Sequence, residues 1–289
     1  MVDIYQLDTN SWTTSALSVN RSYLAATTAG SLALFGGGFV SNELSSDVVD
    51  IYNETSQSWI VAHLSIGRYK LAATSNGTIA LFAGGQDSST FYDTVDLYDM
   101  QANTWTTSLP LSVARCALTA VTVGNIAIFA GGYYLSKGEA IFISAVDIFN
   151  YQTNEWSTST LSEARSYMAA AALKSVALFG GGTTFTNPNA PVWTDYNTVD
   201  FIAPCLNGTI CNDDIFCNGY EVCSGVLCIR SGIAACNSMS ICNNTCDETT
   251  NSCVAPAGLP CDGNDKCDGN GYCIITTEHT TKTNNSLNT

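Results

Sequence analysis

Three groups of residues in this 289-residue chain have types and spacings that could do chemistry. The first is a set of glycine runs, each closing an apolar segment: "SLALFGGG" ends at Gly38, "TIALFAGG" at Gly85, "IAIFAGG" at Gly132 and "VALFGGG" at Gly182. Backbone freed in this way can cradle phosphate, but a phosphate loop continues into Gly-Lys-Ser/Thr and a dinucleotide site into a helix. Here each run leads instead to a polar loop and another short apolar segment. The glycines (Gly37, Gly38, Gly84, Gly85, Gly131, Gly132, Gly181 and Gly182) therefore read as backbone devices, permitting positive φ and close approach of a neighbouring chain.

The second group is a series of charges in a chain with few bases. A Val-Asp pair recurs at Asp3, Asp50, Asp96, Asp147 and Asp200, and a Leu-Ser-x-x-Arg element supplies Arg21, Arg68, Arg115 and Arg165. Four of the five arginines thus occupy one repeated position. Such an arginine is expected to be partly buried, its planar fork bonding backbone carbonyls or a carboxylate. The repeated Asp is the candidate partner, a contact across neighbouring units included. Catalytic signals are poor. The chain has two histidines, His63 and His279, and no pair of carboxylates stands out for acid–base work. No catalytic residue, resident metal or cofactor is assigned.

The elements that carry these residues repeat with them. Trp12, Trp59, Trp105 and Trp156 each follow a repeated Asp by nine residues. The first complete unit reads "SYLAATTA", "SLALFGG", "VVDIYNE" and "SWIVAHL", four β-like segments separated by Gly, Asn, Asp and Ser. No segment has a 3.6-residue apolar stripe. A four-stranded unit recurring about every 50 residues predicts an all-β propeller built of blades. The tryptophans and the Tyr5, Tyr52, Tyr98 and Phe149 series are then expected to fill space between blades.

The double glycine, the Val-Asp-x-aromatic strand and the Trp nine residues later resemble the Kelch repeat. The resemblance covers residues 1 to about 202, in four repeats. It implies a Kelch-type β-propeller. Copper oxidases of the galactose oxidase type share that scaffold, but their site needs two His ligands with tyrosines, and His279 lies outside the repeats. Four repeats are fewer than the six or seven blades common in the family. The chain opens with third and fourth strands and stops its repeats after first, second and third. A fragment of a larger ring is expected, or a four-bladed ring in which the opening strands close the last blade.

Repeat length varies in one place. From the last glycine of each run to the next repeated Asp the spacing is 12, 11, 15 and 18 residues, so the loop between second and third strands absorbs the change. Variable loops on a rigid scaffold are where binding resides. Tyr133, Tyr134, Phe185, Trp193 and Tyr196 stand in them outside the repeat pattern and are the candidate ligand-binding residues, for a protein or carbohydrate surface. Packing of their own loops, or covering of the central channel, is the alternative.

The third group is the cysteines. Twelve of 13 lie in the tail: Cys205, Cys211, Cys217, Cys223, Cys228, Cys236, Cys242, Cys246, Cys253, Cys261, Cys267 and Cys273. Cys116 sits alone in a blade, expected as a single reactive thiol. An even count at that density reads as a disulfide framework, since zinc sites use Cys-x2-Cys and His, and neither occurs there. "CNDDIFCNGYEVC" and "CDGNDKCDGNGYC" look alike and resemble cysteine-rich repeats of extracellular proteins. The Asp/Asn run in the second could hold Ca²⁺, although it lacks EF-hand spacing and turn formation explains it better. The expected domains are therefore a propeller over 1–202, a cysteine-rich module over 203–275 and a disordered polar tail over 276–289.

Composition narrows the partners. The hydrophobic fraction is 46%, charged residues make 12%, and net charge is −15, so clustered bases for nucleic acid or anionic membrane are missing. No apolar run reaches bilayer-spanning length, and the first residues form no signal peptide. Sequons at Asn20, Asn53, Asn76, Asn207, Asn243 and Asn284 would suit a glycoprotein. The expected function is an extracellular or cell-surface binding or adhesion protein that presents variable loops to protein or glycan ligands. The alternatives are an intracellular Kelch scaffold and an oxidase-like enzyme.

Overall fold

The computed structural model describes residues 1–41, 44–186 and 192–203, and beyond them the backbone of eight short strands in the cysteine-rich part. It divides into two compact units, Met1–Pro204 and Cys205–Thr289. Among the described residues there is no helix.

The first unit opens on a hairpin of β1 (Val2–Gln6) and β2 (Ser11–Ser15). Blade 1 follows as β3 (Ala25–Ala29), β4 (Leu32–Gly36), a raised mini-hairpin of β5 (Phe39–Val40) and β6 (Leu44–Ser45), then β7 (Val48–Asn53) and β8 (Ser58–His63). Strands β3, β4, β7 and β8 form one antiparallel sheet in that order. Blade 2 repeats the sheet with β9 (Ala72–Ser75), β10 (Ile79–Ala83), β11 (Val95–Asp99) and β12 (Thr104–Thr107). Blade 3 comprises β13 (Thr119–Val123), β14 (Ile126–Ala130), the hairpin of β15 (Tyr133–Ser136) and β16 (Glu139–Phe142), β17 (Ala145–Asn150) and β18 (Glu155–Thr160). Blade 4 has three sheet strands, β19 (Ala169–Ala172), β20 (Ala177–Gly180) and β23 (Val199–Ile202), with β21 (Thr183–Thr186) and β22 (Val192–Asp195) as its raised hairpin. The first strands of neighbouring blades pack side by side, giving four sheets arranged like the blades of a propeller.

The second strands read as unbroken apolar runs because both faces are covered. Successive side chains of a strand point to opposite faces. In β10, Phe82 joins the core between blades 1 and 2 with Leu34, Val49 and Ile51, while Leu81 and Ala83 join the core between blades 2 and 3 with Phe129 and Phe149. The nine-residue Asp-to-Trp spacing is a hairpin register. It places Tyr52 opposite Trp59, Tyr98 opposite Trp105 and Phe149 opposite Trp156, with ring centroids 5.0–5.1 Å apart. Trp105 and Trp156 pack against the inter-blade cores, as expected. Trp12 differs: it stacks on Tyr5 yet is 69% exposed, because β1 and β2 form a hairpin of their own. That hairpin does not complete blade 4. Among the described residues β23 has no fourth strand beside it, and Phe201 is exposed.

The arginine–aspartate pairs lie within a blade rather than across two. Arg21–Asp50, Arg68–Asp96, Arg115–Asp147 and Arg165–Asp200 are 2.7, 2.8, 2.7 and 2.6 Å apart, each arginine fully buried. Arg68 shows the pattern that Arg115 and Arg165 share: Nε donates to Gly84 O (2.7 Å), Nη1 to Ile66 O (3.1 Å) and Nη2 to Phe82 O (3.0 Å), whereas Arg21 bonds through its Nη atoms alone. The fork thereby saturates carbonyls at the end of a second strand, which the ladder leaves open. The other oxygen of each Asp accepts a backbone N–H from the Leu-Ser segment, as Asp96 does from Ser65 (3.1 Å). Burial pushes the Arg68 and Arg115 pKa down, and the adjacent Asp opposes that shift.

The double glycines bind blade to blade. Gly38, Gly85 and Gly132 each donate a backbone hydrogen bond of 2.9 Å to the carbonyl of the next blade's Arg68, Arg115 and Arg165. The preceding glycine is the tighter position: at Gly131 φ is +65°, and a Cβ there would lie 2.4 Å from Arg165 O.

In the second unit the strands are β24 (Ile210–Cys211), β25 (Glu221–Ser224), β26 (Leu227–Arg230), β27 (Thr245–Asp247), β28 (Ser252–Val254), β29 (Pro260–Asp262), β30 (Asp265–Cys267) and β31 (Cys273–Ile274). They form three small antiparallel sheets. Cys205, Cys217, Cys236, Cys242, His279, the sequons at Asn207, Asn243 and Asn284 and the tail 276–289 lie outside the described residues. So do the side chains of the remaining tail cysteines and of the Asp/Asn run considered for Ca²⁺.

Candidate functional site

The raised hairpins stand on one recurrent device. The residue after each repeated Arg exchanges two backbone hydrogen bonds with the residue after each double glycine: Ser22 with Phe39, Tyr69 with Gln86, Cys116 with Tyr133 and Ser166 with Thr183. The next residue, Tyr23, Lys70, Ala117 or Tyr167, is left-handed with φ of 53–55°. These four are linked blade to blade: Lys70 N donates to Tyr23 O (2.9 Å), Ala117 N to Lys70 O (2.8 Å) and Tyr167 N to Ala117 O (3.1 Å). One side chain from each blade is thus fixed at a common level, with the hairpins around it.

At that level Lys70 Nζ lies 5.6, 5.5 and 5.8 Å from the ring centroids of Tyr23, Tyr133 and Tyr167, and donates to Tyr133 Oη at 3.0 Å. The Tyr23 and Tyr167 rings lie within cation–π range, while Tyr133 meets the ammonium through its hydroxyl. Lys70 is half-buried, and among the described residues no carboxylate lies within ion-pair distance of it. Burial alone would push its ammonium pKa down. The neighbouring Tyr167 hydroxyl, with the Cys116 and Tyr69 side chains, outweighs burial and holds it above the ordinary lysine value. Burial pushes the Tyr133 phenol up. Below Lys70 a neutral relay runs between blades: Cys116 Sγ donates to Gln86 Oε1 (3.0 Å), and Gln86 Nε2 donates to Tyr69 Oη (2.7 Å).

The hairpin aromatics extend this centre outward. Phe185 packs on Tyr133 at 5.2 Å, on Phe142 at 5.0 Å and on Trp193 at 4.9 Å. Of the five loop aromatics singled out in the sequence, Tyr133 and Phe185 are buried members of a local core with Cys116. They satisfy the packing alternative, and support the site rather than face a ligand. Trp193 is 51% exposed at its rim. Tyr134 is half-buried, opposite Ile141 across the β15–β16 hairpin. Tyr196 is half-buried in the blade 4 loop, its backbone N–H bonding Gly182 O. Sequence reasoning missed Tyr23, Tyr69, Lys70 and Tyr167. Their signal was positional: they sit one or two residues beyond the repeated Arg.

Cys116 is free, as its isolation suggested, but it is not a reactive thiol. It is fully buried, and burial pushes its pKa up to about 12, with Lys70 opposing. His63 lies elsewhere, exposed on β8, 3.2 Å from Asp47. Among the described residues no group of three or more His, Cys, Asp or Glu side chains is placed to hold a metal.

No protein-family model matches the chain, and no curated protein matches it. Solved structures do. One, titled "Structure of YjhT", superimposes on 66% of this chain and 71% of its own with a TM-score of 0.55 and 14% identity. The fold is a β-propeller. Identity at that level carries the architecture alone, so the chemistry of the face rests on this chain's own residues.

Proposed function

We propose that this protein is a Kelch-type propeller acting as an extracellular or cell-surface binding protein, without catalytic activity, whose hairpin face takes a glycan or protein ligand. The observation that carries this reading is Lys70: a half-buried cation with no carboxylate partner among the described residues, ringed by tyrosines and fixed at the meeting point of blades. Tyr23, Tyr167 and Trp193, exposed by 58%, 43% and 51%, supply flat apolar surface beside it. Such aromatics are rigid anchors with little side-chain entropy to lose. The Kelch assignment is supported by the double glycines, the Val-Asp-x-aromatic strands and the register-paired tryptophans. The cysteine-rich tail supports an oxidising setting, and exposed Asn20 offers a sequon.

Binding of the full chain to an array of neutral and carboxylate-bearing glycans tests the reading. We expect selective binding that falls at least tenfold in Y167A/W193A, with Tm unchanged. Binding to carboxylated glycans should fall further in K70M than binding to neutral ones. Absence of glycan binding together with twelve alkylatable tail thiols in the native protein would instead support the intracellular scaffold.

A further inference from the structure

The tail strands place cysteines opposite one another with a regularity that the sequence did not reveal. In the β25–β26 hairpin Cys223 is the register partner of Cys228. In β27–β28 Cys246 is opposite Cys253, and in β30–β31 Cys267 is opposite Cys273. These are three separate sheets, and each makes the same pairing. The other two tail cysteines on described strands do not: Cys211 stands opposite Glu221, and Cys261 falls at the irregularity between Pro260 and Asp262.

Directly opposed residues of an antiparallel pair have Cα atoms about 4.5–5.5 Å apart and Cβ atoms about 4.5–5.5 Å apart. A disulfide needs Cα atoms roughly 4.4–6.8 Å apart and Cβ atoms at about 3.5–4.5 Å. The backbone therefore presents these pairs close to bonding distance, whereas no register on the described strands sets cysteines of different hairpins opposite one another. We infer that Cys223–Cys228, Cys246–Cys253 and Cys267–Cys273 are disulfides, each closing its own hairpin; this rests on the oxidising reading of the tail. Each link forms one S–S bond from two thiols. The two electrons and two protons pass to a disulfide oxidant such as glutathione disulfide, which is reduced to two thiols. Cys211 and Cys261 are assigned partners outside their hairpins. The tail is then a string of individually stapled hairpins. This suits a segment with too few apolar residues for a core of its own.

The test uses the full chain folded with a reduced and oxidised glutathione mixture, alkylated, then digested without reduction by proteases cutting at Leu227, Asp247 and Asp268. Cleavage inside a closed hairpin adds one water but leaves its halves joined until reduction. The expected result is three such internally cleaved, still-linked peptides. In C246S the one additional alkylated thiol should map to Cys253, and C246S/C253S should show no additional thiol. Twelve protected cysteines with links between different hairpins would overturn the pairing while leaving the oxidising tail intact. Twelve alkylated cysteines would overturn both.

Discussion

Arg115→Met tests most directly what holds a single blade together. The native guanidinium donates to Gly131 O at 2.8 Å, Val113 O at 3.0 Å and Phe129 O at 3.3 Å, and lies 2.7 Å from the buried Asp147. Methionine restores much of the volume and none of the donors. It leaves a carboxylate at 2% exposure whose remaining bond is from Ser112 N–H at 2.9 Å. Removing one partner of such a pair costs about 3–5 kcal/mol, most of it for the stranded charge. With a urea slope of about 3 kcal/mol/M, the midpoint should fall by about 1–1.7 M. Urea melts of wild type, R115M, D147N and R115M/D147N complete the cycle. Because the amide removes the stranded charge while its oxygen still accepts from Ser112, the double variant should be more stable than R115M by about 1–2 kcal/mol. A loss below about 0.5 kcal/mol in R115M would mean the arginine behaves like a surface ion pair. A double variant no better than R115M would mean that the carbonyls, and not Asp147, dominate.

Other perturbations separate the same forces. Gly131→Ala should cost more than Gly138→Ala in thermal melts: both positions have positive φ, worth about 1–2 kcal/mol of strain, but only at Gly131 would the new Cβ meet a carbonyl, whereas nothing lies within 4 Å at Gly138. Equal costs would remove the blade-junction role. Trp105→Ala should lose about 2–4 kcal/mol and Trp12→Ala under about 1 kcal/mol, since only Trp105 packs against an inter-blade core. Cys116 should resist iodoacetamide at pH 8 in the folded protein and react at once in denaturant; rapid labelling of folded protein would contradict its burial and raised pKa. Burial pushes the Asp200 carboxyl up, but the Ser162 N–H and Arg165 outweigh it and set the folded pKa below the ordinary value. Its stabilisation is therefore present above about pH 4 and lost as pH falls through the folded pKa. The Tm of D200N should depend less on pH below 4, and an unchanged acid limb would refute that assignment.

The fold was legible because its determinants repeat. A residue held at one spacing through four blades must serve what all four share: the strand-end carbonyls met by arginine, the blade junction met by glycine, the hairpin register met by tryptophan. The same logic hid the site. Tyr23, Lys70, Ala117 and Tyr167 occupy one repeated backbone position with four left-handed residues, yet their side chains differ. Repetition therefore marks the position without marking the chemistry. Variation in loop length pointed to the hairpin face but favoured residues far from each other in role. Tyr133 and Phe185 are buried because hairpins of unequal length must pack on one another before they can present anything outward, and Trp193 stays exposed because it rides on that packing. The partnership of Lys70 with three tyrosines joins residues up to 144 positions apart, Tyr23 to Tyr167, and exists only once blades 1, 2, 3 and 4 stand together. A scaffold that repeats to build itself diversifies at one left-handed position per blade. That position, rather than the longest loop, is where a ligand would meet this chain's charge.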